Sequence, residues 1–122
     1  MRWLISLEKA KALKEAGLKW NAKGGDFYFY ANGEFTGEFI IKRDPGEPVE
    51  TPMDCQVWLP RLDQLLTEIA KLGYRWRISL VDDGNCTIKL YPIWDYKQQY
   101  VYYTTGKTPD DAAADALLWV MK

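Results

Sequence analysis

The stretch Pro60-Arg61-Leu62-Asp63-Gln64-Leu65-Leu66-Thr67-Glu68-Ile69-Ala70-Lys71-Leu72-Gly73-Tyr74-Arg75-Trp76-Arg77-Ile78-Ser79-Leu80 changes hydrophobic period part-way along. Leu62, Leu65, Leu66, Ile69 and Leu72 recur three and four residues apart, which draws one apolar stripe down a helix. Pro60 suits the first turn of that helix, where its missing N–H costs nothing, and Gly73 ends it. From Tyr74 the spacing drops to two. Tyr74, Trp76, Ile78 and Leu80 then share one side of a strand, and Arg75, Arg77 and Ser79 the other.

Downstream, Asp82-Asp83-Gly84-Asn85 reads as a turn into a second strand, Cys86-Thr87-Ile88-Lys89-Leu90-Tyr91. After a loop with Pro92 and Trp94, a third strand is expected over roughly Gln98 to Thr104. The last helix opens with Thr108-Pro109-Asp110-Asp111. Threonine caps it, proline fills the first position, and Asp111 is placed to complete a capping box. Both acids suit the positive end of the helix dipole. Alanines 112, 113, 114 and 116 permit close approach to a sheet, and Leu117, Val120 and Met121 extend the buried face.

Upstream, a helix is expected from Leu7 to Ala16, capped by Ser6 and stopped at Gly17. The aromatic alternation from Asp26 to Ala31 favours a strand, and Asn32-Gly33 is a type I′ hairpin signal. The partner strand is expected from Glu34 to Arg43, bulged at Gly37. Residues 44–54, with three prolines, four acids and no base, read as a solvated loop or linker, with an acidic lure for a basic partner as the functional alternative. The expected class is α+β. A helix–hairpin module (1–43) and an acidic linker or loop (44–57) precede an α-β-β-β-α module (58–122), forming one compact unit. The hairpin either extends the same antiparallel sheet or forms a second layer.

The 122 residues include six Trp, eight Tyr and four Phe but no His. Rings on that scale support a core without disulfides or metal, and the commonest general base and metal ligand is missing. Formal charge is −1, and residues 1–50 carry eight groups of each sign. Neither half has the basic surplus of a non-specific nucleic-acid binder. Cys55 and Cys86 have no metal-ligand spacing and read as reduced thiols. Met1-Arg2-Trp3-Leu4-Ile5 leads into a Lys/Ala-rich helix without a long apolar region, so no signal peptide is expected, no run is long enough for a membrane span, and a cytoplasmic setting follows.

Pro60 to Lys122 resembles the double-stranded-RNA-binding domain in its order of helix, three antiparallel strands and alanine-rich helix. That family holds phosphate with lysines at the start of its last helix. Here Asp110 and Asp111 stand there, and Asp82-Asp83 fill the loop where the family carries a histidine motif, so RNA binding in that mode is disfavoured. The phrases Ala10 to Gly17, Trp58 to Leu66 and Ala112 to Trp119 are similar to those of small phage and prophage proteins, some described as α/β sandwich domains. That resemblance implies a phage accessory protein and specifies no chemistry.

No nucleophile motif is present, and Asp82-Asp83 and Asp110-Asp111 are explained by a turn and a cap, so no catalytic residue, metal or cofactor is expected. The candidate binding residues are Arg75, Arg77, Lys89 and Tyr91 on the outer sheet face, and Trp20, Trp58 and Trp94 in or beside loops. The expectation is a non-catalytic accessory protein that binds a host or viral macromolecule, with inhibition of a host defence complex as one such role. A protein partner is favoured over nucleic acid. A self-assembling homodimer is the alternative, and a nucleic-acid-binding module the third reading.

Overall fold

A computed structural model describes residues 5–32, 35–50, 56–81, 85–94 and 99–122. The element order is α1 (Leu7–Glu15), β1 (Phe27–Asn32), β2 (Phe35–Ile40), β3 (Gln56–Leu59), α2 (Leu62–Lys71), β4 (Tyr74–Leu80), β5 (Cys86–Pro92), β6 (Tyr102–Gly106) and α3 (Pro109–Val120). The chain is α+β, with two separate antiparallel three-stranded sheets ordered β2-β1-β3 and β4-β5-β6. The hairpin therefore builds its own sheet.

The helices form where the sequence marks their ends. Ser6 Oγ accepts from Lys9 N in α1, and Thr108 Oγ1 accepts from Asp111 N in α3. Gly17 and Gly73 adopt φ of 101° and 95°, the left-handed stop that a side chain resists. Two details differ from expectation. Arg61 is the N-cap of α2, so Pro60 lies one residue before the cap, and Arg61 N donates to Gln64 Oε1 at 2.8 Å. The Asp111 carboxylate turns away from its own helix and accepts from Ser6 N at 2.8 Å, tying the entry of α1 to α3.

The strand β3 is the largest departure from the sequence reading. Gln56 and Val57 were expected in the loop and Trp58 and Leu59 in the following module. Instead all four pair with β1 (Tyr30↔Gln56, Phe29↔Val57, Tyr28↔Trp58, Phe27↔Leu59). Val57 and Leu59 point into the core. The pairing of β1 with β2 runs unbroken through Tyr30↔Gly37, so there is no bulge. Glycine opposite Tyr30 leaves space there, and the Tyr30 ring lies edge-on to Phe39. The sixth strand runs from Tyr102 to Gly106, with the Val101 N–H already reaching Leu90 O, and the expected start at Gln98 lies outside the described residues. The expected turns at Asn32-Gly33 and Asp82–Asn85, together with Cys55, fall wholly or partly outside the described residues.

Helix α3 covers the inner face of β5 and β6 and packs on α2, while α1 bridges β3 to α3. Leu13, Leu59, Leu65, Ile69, Ile88, Leu90 and Leu117 are fully buried and belong to one cluster drawn from all three helices and both sheets. Each such side chain contributes roughly 1.5–3 kcal/mol through area removed from water. Ala112, Ala113, Ala114 and Ala116 are likewise buried, as close helix–sheet approach requires.

Candidate functional site

Strand alternation fixes the outer face of the second sheet. Helices cover Ile88 and Leu90 on one side, so Arg75, Arg77 and Ser79 of β4, Thr87, Lys89 and Tyr91 of β5, and Tyr103 and Thr105 of β6 share the other. Cross-strand pairing places Arg75 opposite Tyr91, and Arg77, Lys89 and Tyr103 in one row. The three strands contain no Asp or Glu, although the whole chain has 17. Among the described residues, Arg75, Arg77 and Lys89 have no carboxylate partner. Their partners are rings. The Arg75 and Arg77 guanidinium groups lie 5.7 and 5.9 Å from the Tyr91 centroid, and Lys89 Nζ lies 4.9 Å from that of Tyr100.

Sequence reasoning missed Tyr100 and Tyr103. The two rings meet at 90°, and Tyr100 meets Tyr91 at 83°, so the three tyrosines form an edge-to-face chain. Tyr103 is 59 % exposed. Its signal was present in Tyr100-Val101-Tyr102-Tyr103, but finding the outer ring required the strand's phase. Thr87 and Thr105 close the far end of the face with a hydroxyl contact at 3.1 Å.

The tryptophans part company. Trp20 and Trp58 stack at 6.3 Å with ring planes 5° apart, on the outer face of the first sheet, and both are half-buried. Trp20 Nε1 donates to Asp26 Oδ2, whereas the buried Trp58 Nε1 has no acceptor among the described residues. A polar cleft of about 160 Å³ lies beside them, lined by Lys19, Lys23, Asp26, Trp58 and Gln64 among others. Trp94 is 76 % exposed just past the end of β5, beside Ile93, which is itself exposed. The structure brings Arg75, Arg77, Lys89 and Tyr91 together; Trp20 and Trp58 form a second group on the other sheet.

Asp110 is buried in the first turn of α3, and burial, opposed by a backbone hydrogen bond and reinforced by Asp111 and Asp63, holds its carboxyl above the ordinary range. Cys86 is a buried free thiol facing the helices. Among the described residues no three His, Cys, Asp or Glu side chains are grouped to hold a metal ion, and no helix is long and apolar enough to cross a membrane. Comparison with protein-family models, curated proteins and solved structures finds no match.

Proposed function

We propose that this protein is a non-catalytic binding protein that holds an acidic protein partner on the outer face of β4-β5-β6. One observation carries the reading. Arg75, Arg77 and Lys89 stand on strands without an acidic residue, and among the described residues they lie against tyrosine rings and have no carboxylate partner. Arg77 and Lys89 are directly opposite, an arrangement that costs stability in the free protein and is relieved by an incoming carboxylate. Arginine and tyrosine are also the side chains that dominate binding energy at protein interfaces.

The same geometry favours protein over single-stranded nucleic acid. Bases stack on open ring faces. Here the faces of Tyr91 and Tyr100 are approached by cations and the rings stand perpendicular to one another. The resemblance to small phage proteins supplies the setting, an accessory role against a host or viral protein, including interference with a host defence complex.

The test is capture from bacterial lysate with the tagged protein and with an Arg75→Glu/Arg77→Glu/Lys89→Glu variant of matched thermal stability. The reading expects a partner retained after nuclease, released as salt rises to about 0.3 M, and lost by the variant. Identical recovery by both proteins, or recovery abolished by nuclease, sinks it.

A further inference from the structure

We infer that the open edge of β4 is a strand-addition site, and that the acidic partner enters it as an extended segment with acidic and apolar residues in alternation. This rests on the proposed binding face and specifies how that face is engaged.

The hydrogen-bond phase of the sheet supplies the first observation. Ile93 N donates to Gly73 O at 3.0 Å, and Val81 N donates to Asn85 O at 2.9 Å, at the two ends of the β4–β5 ladder. In an antiparallel pair, alternate residues face the partner strand, so the odd-numbered residues of β4 bond to β5. The N–H and C=O groups of Trp76 and Ile78 therefore point out of the sheet. β4 is the terminal strand of β4-β5-β6, and no other described backbone group reaches that edge. The first sheet handles its β3 edge differently, because Lys14 Nζ there bonds Gln56 O at 3.1 Å.

The side chains supply the second observation. On the outer face the edge carries Arg75 and Arg77, without carboxylate partners among the described residues. On the inner face, Trp76 is 37 % exposed and Leu80 75 %, because α3 covers β5 and β6 and stops short of the edge. One added strand beside β4 would set carboxylates against Arg75 and Arg77 and apolar side chains against Trp76 and Ile78, with its backbone bonded to theirs. Antiparallel addition pairs residues of the same face directly. A second copy of this chain is a poor occupant, since β4 against β4 sets arginine near arginine on one face.

The test uses the full chain and a fluorescent, end-blocked peptide of alternating glutamate and valine, three of each. Two further peptides carry N-methyl groups on the valines only or on the glutamates only. A fourth has the same composition in two blocks. Strand addition expects the valine-methylated and block peptides to bind at least about tenfold more weakly than the parent, and the glutamate-methylated peptide to bind nearly as well. It also expects the amide protons of Trp76 and Ile78 to become protected from exchange on binding, while those of Arg75 and Arg77 change little. Equal binding by all four peptides, lost in the Arg75→Glu/Arg77→Glu/Lys89→Glu variant, overturns strand addition and leaves the charged-face reading standing. Binding by none, at low salt, overturns strand addition as well, and the lysate capture then decides the face alone. A dimeric mass with Trp76 and Ile78 amides protected in the free protein overturns it in favour of self-pairing.

Discussion

Gln64 Nε2 donates to Asp26 Oδ1 at 2.7 Å, and that contact ties the start of β1 to the first turn of α2. The same carboxylate accepts from Trp20 Nε1 at 2.9 Å and Lys23 N at 3.1 Å, with Arg61 Nη1 at 3.6 Å. Asp26 is 2 % exposed, so water offers its donors no substitute. Asp26→Ala is expected to destabilise by about 3–5 kcal/mol, the cost of breaking a buried, hydrogen-bonded charge. Asp26→Asn keeps one acceptor and is expected to lose less. Urea denaturation of both variants checks the order.

The folded protein takes up a proton at Asp110 at higher pH than the unfolded chain does, because burial disfavours the carboxylate. That group's contribution to stability is thus fully present below the unfolded value and lost as pH rises through the raised folded one. Asp110→Asn is expected to melt above the wild type at neutral pH, with the gap closing as the pH falls through the raised folded value toward the ordinary carboxyl value of about 4. A gap that is constant with pH contradicts the assignment.

Gly24 is held between residues of the 41–47 segment, bonding Glu47 O through its N–H at 2.8 Å and accepting from Gly46 N at 3.2 Å. A Cβ there would stand 2.1 Å from Asp44 O, a backbone atom that cannot swing aside. Gly24→Ala is expected to cost about 1–3 kcal/mol and to free the 41–49 segment, visible as faster amide exchange at Val49, whose N–H bonds Ala22 O.

Lys9 Nζ lies 2.6 Å from Asp115 Oδ1, joining α1 to α3 with both side chains about 30 % exposed. Solvent screening limits such a pair. A double-mutant cycle with Lys9→Ala and Asp115→Ala is expected to return a coupling of about 0.5–1 kcal/mol, falling with added salt.

Arg77→Glu turns the like-charge pair with Lys89 into an ion pair. Stability is expected to rise by about 0.2–1 kcal/mol while capture of the acidic partner falls. A thermal melt and the lysate capture on the same preparation separate the two effects. Lower stability would mean that the Arg77–Tyr91 contact outweighs the repulsion.

The helices were legible because each is marked twice, once by its stripe or its alanines and once by its ends. The stripe from Leu62 to Leu72 with its stop at Gly73, and Thr108-Pro109 with the following alanines, match the observed helices, while Pro60, expected in the first turn of α2, stands before its cap. The strand β3 was not legible, since four residues are too few to display alternation and they follow an acidic, proline-rich segment. That segment's composition predicts a solvated loop. Residues 42–48 are exposed, yet its backbone is pinned to Ala22 and Gly24, a tertiary contact that composition does not encode. On the outer face of β4-β5-β6, Arg75, Arg77, Lys89 and Tyr91 followed from alternation within single strands. Tyr103 needed the register between strands, and Tyr100 needed the path of the chain before β6, which no local pattern supplies.

An acid-free sheet on a chain of formal charge −1 has an electrical consequence for the molecule as a whole. Positive charge concentrated on one wall leaves a net-negative remainder, which makes the molecule a permanent dipole despite its near-neutral total. Above its isoelectric point of about 5.5 it is expected to adhere to a cation-exchange resin that its net charge alone would have it ignore.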